Sequence, residues 1–197
     1  MNITSIIFDG SGVITDEQPR KTARMWSEKY NIPYNDIWQT VYKDNYNLAR
    51  DGILDAKEYY KKSVNTLGVK ISYEEFVHDY IADCAVRPEM ITILQALSKK
   101  VPLYLFSNQT EINTIYLRPL LEQYFKHIIF SNEVRMHKPD KNIYELLLKH
   151  IGTNKESALY IDDRSEQLEA AKKYGISTYL FLSVSKLKDH LSKRSLL

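Results

Sequence analysis

The sequence predicts an α/β fold in which a parallel sheet carries an inserted helical segment. Short apolar runs such as Ile6–Phe8 show no alternation of polar and apolar residues, which is typical of strands buried on both faces. From residue 102 onward such runs alternate with amphipathic helices, and this order indicates parallel strands joined by right-handed crossovers. Residues 17–83 instead show helical periodicity throughout, so we expect them to lie outside the sheet.

The first predicted strand ends at Asp9, and Gly10 and Gly12 follow it. Glycines adopt backbone conformations closed to other residues, so the N–H groups of this turn can converge on one point. Open α/β sheets bind ligands at the carboxyl ends of their strands. Asp9 is therefore a candidate nucleophile or metal ligand, and the alternative is an acid that only shapes the turn.

Four helices are predicted between the first and second strands of the sheet. The first covers residues 17–30, and the second runs from Pro33 to Ala49. The third and fourth begin at capping-box patterns, Asp55–Glu58 and Ser72–Glu75.

An aromatic stripe recurs at every fourth position of the second helix: Tyr34, Trp38, Tyr42 and Tyr46. Such a stripe is either the core of the helical segment or the wall of a substrate pocket.

The elements of the remaining chain alternate. Pro88 opens a helix, and strands are predicted at residues 102–106, 127–130, 158–161 and 178–181. Helices are predicted at residues 110–124, 140–150 and 165–174, with a last one near residues 186–194.

Composition excludes several classes of protein. The 197 residues include 27 Lys and Arg against 25 Asp and Glu, and a net charge of +2 argues against nucleic acid as a partner. Cys84 is the single cysteine, which rules out an intramolecular disulfide and fits the reducing cytoplasm. No signal peptide or membrane-spanning apolar run is recognisable, so we expect a cytoplasmic protein without a membrane partner.

Four strand ends carry groups suited to phosphate chemistry. They are Asp9, Ser107–Asn108, the loop that holds Lys138, and Asp162–Asp163. All carboxyl ends of a parallel sheet share one edge, so these groups should converge. Clustered carboxylates need a cation, and Mg²⁺ prefers a few carboxylates together with phosphate and water. A hydroxyl and an ammonium beside them would complete a site for phosphoryl transfer through an aspartyl-phosphate.

The same segments resemble, in order, the four motifs of the haloacid dehalogenase superfamily. They are Phe8–Val13, Leu105–Asn108, Lys138–Asp140 and Tyr160–Arg164. The long helical segment between the first two is similar to the subgroup with a helical (C1-type) cap, which includes glucose-1-phosphatase and epoxide hydrolase N-terminal phosphatase-like proteins. The resemblance spans nearly the whole chain and implies a Rossmann-like core with a cap domain.

The resemblance also implies roles for the metal-binding residues. Asp9 would attack phosphorus and, with Asp162, hold Mg²⁺, while the carbonyl of Ser11 would be a third protein ligand. Asp163 would reach the metal through water or tether Lys138.

A second implied set would bind phosphate. Its members are Gly10, Ser11, Ser107, Asn108 and Lys138, and the last would also orient the nucleophile. The implied substrate is a small phosphorylated metabolite.

The predicted domain limits follow from the same motifs. The core comprises residues 1–15 and 86–197, and the cap comprises residues 16–85. Hinges are expected near Thr15–Asp16 and Ala85–Arg87, so that the cap opens and closes over the site.

One departure from the family pattern concerns Ser11, which stands where phosphatases of this superfamily have a second acid–base Asp. Losing a general acid–base costs roughly 10²–10⁴ in rate. Three interpretations remain. The first is a phosphatase with a weaker acid–base, working through water or on a substrate with a good leaving group. The second is another reaction on the same fold, since dehalogenases and phosphonate hydrolases resemble this chain in lacking that Asp, and the third is a degenerate phosphate-binding or interaction protein.

Other side chains bear on these alternatives. His137 is a candidate substitute acid or base. Arg20 is either a substrate contact or a solvated helix residue. A phosphonate hydrolase would need a buried cap lysine, and the candidates are Lys57, Lys61 and Lys62.

Overall fold

The computed structural model describes residues 3–17, 19–152 and 155–197. In these ranges five parallel strands form one sheet: β1 (Ser5–Phe8), β4 (Leu103–Ser107), β5 (His127–Phe130), β6 (Ala158–Asp162) and β7 (Ser177–Leu180). Their order across the sheet is β5–β4–β1–β6–β7. The predicted fold class is therefore confirmed.

The central position of β1 explains its continuous apolar sequence. Ile7 lies opposite Tyr104 of β4 and Tyr160 of β6, so neighbours cover both edges of the strand. The main-chain N–H of Asp9 donates to the carbonyl of Ile161 at 2.9 Å and extends the pairing one residue beyond the strand. The carboxyl ends of the three central strands consequently lie level with one another.

Helices cover both faces of the sheet. One face packs against α6 (Pro88–Leu97), α7 (Glu111–Leu121) and α11 (Val184–Ser192). The other packs against α9 (Lys141–Ile151) and α10 (Ser165–Lys172).

Alternation along β1 directs its side chains to the two faces. Ile6 and Phe8 belong to the first apolar cluster, whereas Ile7 belongs to the second.

The helical segment between β1 and β4 has an apolar core of its own. Its helices are α1 (Pro19–Tyr30), α2 (Tyr34–Gln39), α3 (Tyr46–Arg50), α4 (Ala56–Leu67) and α5 (Tyr73–Ala82). Trp26, Tyr59 and Phe76 are fully buried at its centre. Phe76 packs against both other rings, with centroids 5.1 and 5.7 Å away.

The second predicted helix is interrupted by a π-helical segment, Thr40–Asn45, between α2 and α3. A π segment shifts the helical register, which spacing alone does not reveal. The buried hydroxyl of Tyr59 donates to the carbonyl of Val41 inside this segment at 2.9 Å.

Of the two predicted capping boxes, one forms completely and the other only in part. Asp55 and Glu58 form the full reciprocal box at the start of α4. Ser72 accepts from the N–H of Glu75 at 3.1 Å, but the Glu75 carboxylate bonds Lys29 and Tyr30 instead of closing the box. An ammonium is a stronger partner for a carboxylate than an exposed amide.

A two-stranded ribbon and the short helix α8 (Ser131–Val134) were not predicted from the sequence. The ribbon pairs β2 (Thr15–Glu17) antiparallel with β3 (Cys84–Val86), and three-residue strands leave no readable period. It carries the chain into and out of the helical segment. The proposed hinges and domain limits fall in this ribbon, and the division into core and cap stays a prediction. Among the described residues, no helix is long and apolar enough to cross a membrane.

Replacing Tyr59 with Phe should lower the free energy of unfolding by about 1–3 kcal/mol, because the carbonyl of Val41 loses a buried donor. Urea denaturation measures the difference. Tyr34→Phe at a partly exposed ring is the matched control and should change the value by less than about 0.5 kcal/mol. Equal effects in the two variants would contradict a specific role for the buried hydroxyl.

Candidate active site

Three strand ends and one loop meet at the carboxyl edge of the sheet. Asp9 follows β1, Ser107 ends β4 and Asp162 ends β6. Lys138 enters from the loop between α8 and α9. These side chains are almost wholly buried, with residue exposures of 2% for Asp9, 1% for Lys138 and 0% for Asp162.

The ammonium of Lys138 joins the two acids. Its Nζ donates to Asp9 Oδ1 at 2.8 Å, to Asp162 Oδ2 at 3.0 Å and to the hydroxyl of Tyr160 at 2.8 Å. The Tyr160 hydroxyl in turn donates to Asp162 Oδ2. A lysine ammonium has three protons, so these bonds use its full donor capacity. The second acid that holds Lys138 is therefore Asp162, and not Asp163.

Lys138 is fixed through its own backbone. The Asn108 side chain donates to the Lys138 carbonyl at 2.9 Å and accepts from the Lys138 N–H at 2.8 Å. Both the oxygen and the nitrogen of the Asn108 side chain thus bond the backbone of Lys138. In this structure Asn108, a predicted phosphate ligand, holds the lysine in place. The ring centroids of Phe106 and Tyr160 lie 5.2 and 5.4 Å from Nζ, within cation–π distance.

The environment separates the pKa values of the two acids. Burial raises the pKa of Asp9 to about 6, and the Asp162 charge adds to this while Lys138 opposes it. Burial also acts on Asp162, but Lys138, the Tyr160 hydroxyl and the Arg164 N–H at 2.8 Å hold its pKa below the usual value. The two acids are thus tuned in opposite directions: burial favours the neutral form of Asp9, and the hydrogen bonds to Asp162 favour its ionised form.

Asp9, Asp162 and Asp163 can converge on one ion. Each offers a carboxylate oxygen, and these atoms lie within 4.8 Å of one another. Gly12 packs against Asp163: a Cβ there would lie 2.3 Å from Asp163 Oδ2, and its φ of +81° also favours glycine. Three carboxylates face the Lys138 ammonium and the Arg164 guanidinium, so the cluster keeps an excess negative charge, which fits a divalent cation with oxygen ligands.

A pocket of about 110 Å³ opens on Asp9 and Asp163. Its lining residues are Asp9, Ser11, Tyr46, Asn108, Asp163 and Arg164. Gly10 stands between Asp9 and Ser11, and a Cβ there would approach Ser107 Oγ to 2.8 Å, so the turn needs glycine at this point. The predicted metal ligand Ser11 and phosphate ligand Gly10 are thus placed in the turn beside Asp9.

The residues of the aromatic stripe differ in role: some pack in the core of the helical segment, and one lines the pocket beside Asp9. The rings of Tyr34, Trp38 and Tyr42 stack in sequence, with centroids 6.1 and 5.4 Å apart, and pack on the helical core. Tyr46 instead reaches the pocket, and its hydroxyl donates to the Asn108 carbonyl at 3.5 Å. Tyr46 also lines a second cavity of about 200 Å³, shared with Trp38 and Tyr42.

Other candidate residues lie elsewhere. His137 contacts Asp51 at 3.0 Å and Asp140 at 3.4 Å, so its ring nitrogens face acids outside the pocket. The guanidinium of Arg20 lies 5.8 Å from the Trp38 ring centroid on an exposed helix face.

The lysines considered for a Schiff base are all exposed on α4: Lys57, Lys61 and Lys62.

Sequence reasoning missed Tyr160, Gln109 and Arg164. Tyr160 reads as one more apolar strand residue, although its spacing of two from Asp162 places both side chains on the same face of β6. Gln109 is buried, and its Nε2 donates to Ser11 Oγ at 2.8 Å and Ser107 Oγ at 3.0 Å. No spacing rule signals the role of Gln109.

The chain matches the family model of haloacid dehalogenase-like hydrolases over residues 3–175, and it belongs to that family of enzymes. The predicted family is therefore confirmed. The chain is similar to the phosphorylated carbohydrates phosphatase of Thermotoga maritima, with 27% identity over 181 residues, which cover 87% of this chain and 82% of that protein.

Solved structures share the fold. HAD family enzyme BT-2542 from Bacteroides thetaiotaomicron, in complex with magnesium and inorganic phosphate, matches with a TM-score of 0.81 and 18% identity, covering 91% of this chain and 94% of that one. L-2-haloacid dehalogenase from Xanthobacter autotrophicus matches with a TM-score of 0.63 and 18% identity, covering 99% and 84%. At these identities the likeness concerns the fold alone.

Replacing Lys138 with Met should lower the free energy of unfolding by about 3–5 kcal/mol at pH 8, because two buried carboxylates lose their counter-ion. The deficit should shrink at pH 5. Burial raises the folded pKa of Asp9 to about 6 in the wild type, and the Lys138 charge opposes that rise. Without Lys138 the pKa rises further, so the variant gains more stability than the wild type as the pH falls.

Urea denaturation of metal-free protein at both pH values tests this. Lys141→Met is the matched control, since the exposed Lys141–Glu145 pair should contribute less than about 0.5 kcal/mol. A Lys138→Met deficit that grew toward pH 5 would contradict the proposed electrostatics.

Proposed function

We propose that the protein is a Mg²⁺-dependent phosphatase that hydrolyses a small phosphate monoester, such as a phosphorylated sugar, through an aspartyl-phosphate on Asp9. The observation that carries the proposal is the contact of one buried ammonium, Lys138, with both Asp9 and Asp162. The clustered acids need a cation, and the pocket above them has the small volume of a phosphoryl site. The name of the Thermotoga relative supports the substrate class.

In this proposal Asp9 is the nucleophile, and Lys138 holds its Oδ1 so that the carboxylate faces the pocket. Because the bonds of Lys138 to Asp9, Tyr160 and Asp162 use its donors, we assign it to orientation of the nucleophile rather than to direct phosphate contact. The Ser107 hydroxyl and the main-chain N–H groups of the glycine turn would hold the phosphate.

Asp9, Asp162, the Ser11 carbonyl and Asp163 would hold the magnesium ion. Bound there, it would neutralise charge on the phosphoryl oxygens.

The first chemical step joins Asp9 to phosphorus and releases an alcohol. The leaving oxygen gains negative charge, and a serine at position 11 has no proton acidic enough to transfer near pH 7. We therefore expect substrates whose leaving group needs little protonation, as at the anomeric carbon of a sugar. Water then attacks phosphorus of the acyl-phosphate and regenerates Asp9.

The helical segment is proposed to act as a cap. Tyr46 links it to the core at Asn108, which fits a closed arrangement. The cavity of about 200 Å³ that Tyr46 shares with Trp38 and Tyr42 adjoins the phosphoryl pocket and would hold the leaving group. Closure would keep bulk water from the first step.

The alternatives fit less well. A phosphonate hydrolase needs a buried lysine amine, whereas the lysines considered on α4 are exposed. A dehalogenase working without metal has no use for three clustered acids. The specific observation that favours a non-catalytic phosphate-binding protein is Ser11, and turnover measurements decide between the two.

Replacing Asp9 with Asn should abolish Mg²⁺-dependent phosphate release from a panel of sugar phosphates, with a loss of roughly 10³-fold or more in kcat. Asp9→Ala is assayed beside it, because an Asn-Gly sequence can deamidate back to Asp. Asp36→Asn, an exposed carboxylate on α2, is the control and should retain wild-type turnover. If wild type released no phosphate but phosphate still stabilised Asp9→Asn, the protein would be a binding module.

Replacing Ser11 with Asp should raise kcat/KM by about tenfold or more for alkyl phosphates, because it supplies a general acid and base. The gain should be smaller for 4-nitrophenyl phosphate, whose leaving group needs no proton. Ser11→Asn has nearly the same shape without a titratable proton and should show no gain. Equal rates in wild type and Ser11→Asp would show that the acid–base step does not limit turnover.

A further inference from the structure

A chain of buried hydrogen bonds runs from the ribbon to the catalytic turn. The Cys84 thiol donates to Asn113 Oδ1 at 3.3 Å, and Asn113 Nδ2 donates to Gln109 Oε1 at 2.8 Å. Gln109 Nε2 then donates to Ser11 Oγ at 2.8 Å and to Ser107 Oγ at 3.0 Å. The residue exposures of Gln109 and Asn113 are 1% and 3%, so bulk water competes little for these bonds.

The Cys84 end of this series of hydrogen bonds determines which way the amides of Asn113 and Gln109 point. If Gln109 turned its oxygen toward Ser11, its N–H groups would face those of Asn113, which would have to turn as well. Asn113 would then donate to the sulfur of Cys84, which is a weak acceptor. The observed direction pairs the thiol proton with an amide oxygen and leaves each amide with a donor and an acceptor bond.

This direction fixes what Ser11 can do in the pocket. Its Oγ accepts from Gln109, so its own proton is available to another acceptor. Ser11 lines the pocket together with Asp9, and Gln109 does not line it. The Ser11 hydroxyl can therefore donate to an oxygen of a group bound beside Asp9. The Gln109 amide lies outside the pocket and acts only through its hydrogen bond to Ser11.

We propose that Gln109 is a positioning residue that holds Ser11 as a hydrogen-bond donor to the leaving oxygen. This inference rests on the proposed phosphatase reaction and adds to it how the site works without a second carboxylic acid. The Ser11 O–H bond is not broken: its dipole stabilises the negative charge on the leaving oxygen as the P–O bond breaks. The leaving oxygen then takes its proton from solvent water when the cap opens and the alcohol is released.

Aryl phosphates with different leaving groups test the proposal. In Gln109→Leu, kcat/KM for phenyl phosphate should fall by about 10–100-fold more than that for 2,4-dinitrophenyl phosphate. A smaller loss common to both esters is expected from the lost bond to Ser107. In the variant, kcat/KM should thus depend more steeply on the basicity of the leaving group. A merely structural role of Gln109 would lower both rates alike.

Gln109→Glu keeps the shape of the side chain and provides a second variant. A carboxylate only accepts hydrogen bonds, so it should turn the Ser11 proton away from the pocket and reproduce the selective loss on phenyl phosphate. Gln95→Leu, at an exposed amide on α6, is the matched control and should leave both rates unchanged.

A double-variant cycle shows whether Gln109 acts through Ser11. Ser11→Ala should give the same selective loss, and adding Gln109→Leu to it should change the ratio of the two rates by less than about threefold. Fully additive losses, or equal losses on both esters, would overturn the proposal. If wild type hydrolyses neither ester with Mg²⁺, the proposed function fails instead, so the two failures are distinguishable.

Discussion

One buried ammonium between two buried carboxylates is the contact on which the rest of the site depends. Lys138 Nζ lies 2.8 Å from Asp9 and 3.0 Å from Asp162, although these residues are far apart in the sequence. Taking three charges out of water is expensive, and such clusters often add little to stability. Their burial is therefore better explained by chemistry at this edge of the sheet than by folding. The amide of Asn108 and the hydroxyl of Tyr160 complete the enclosure.

The fold provides this contact through strand register. β1 pairs with β4 and β6 so that Phe8 lies opposite Leu105 and Ile161, and the next residues emerge at one level. The glycine turn then bends closely around the site, since a Cβ at position 10 or 12 would collide with Ser107 or Asp163. The helical segment adds Tyr46 from above. Each feature is local in sequence, but the pocket exists only where all of them meet.

The sequence predicted the sheet, most helix limits and the family, because apolar runs, caps and strand-end motifs are local signals. It predicted the contact of Lys138 with Asp9 but not the part taken by Tyr160, which reads as an apolar strand residue. Gln109 and the π-helical segment were missed for another reason: hydrogen-bond partners and register shifts depend on which distant residues approach. His137 failed as a site candidate because it faces Asp51 and Asp140.

The central claim is that Asp9 carries the phosphoryl group during turnover. Acid-quenching the enzyme in the presence of Mg²⁺ and a turned-over phosphate ester, followed by peptide mass spectrometry, measures this directly. The account predicts the mass of one phosphoryl group on the peptide that contains Asp9, and its loss when hydroxylamine is added. Turnover with no phosphorylated peptide at any quench time, or with the group on another residue, would contradict it.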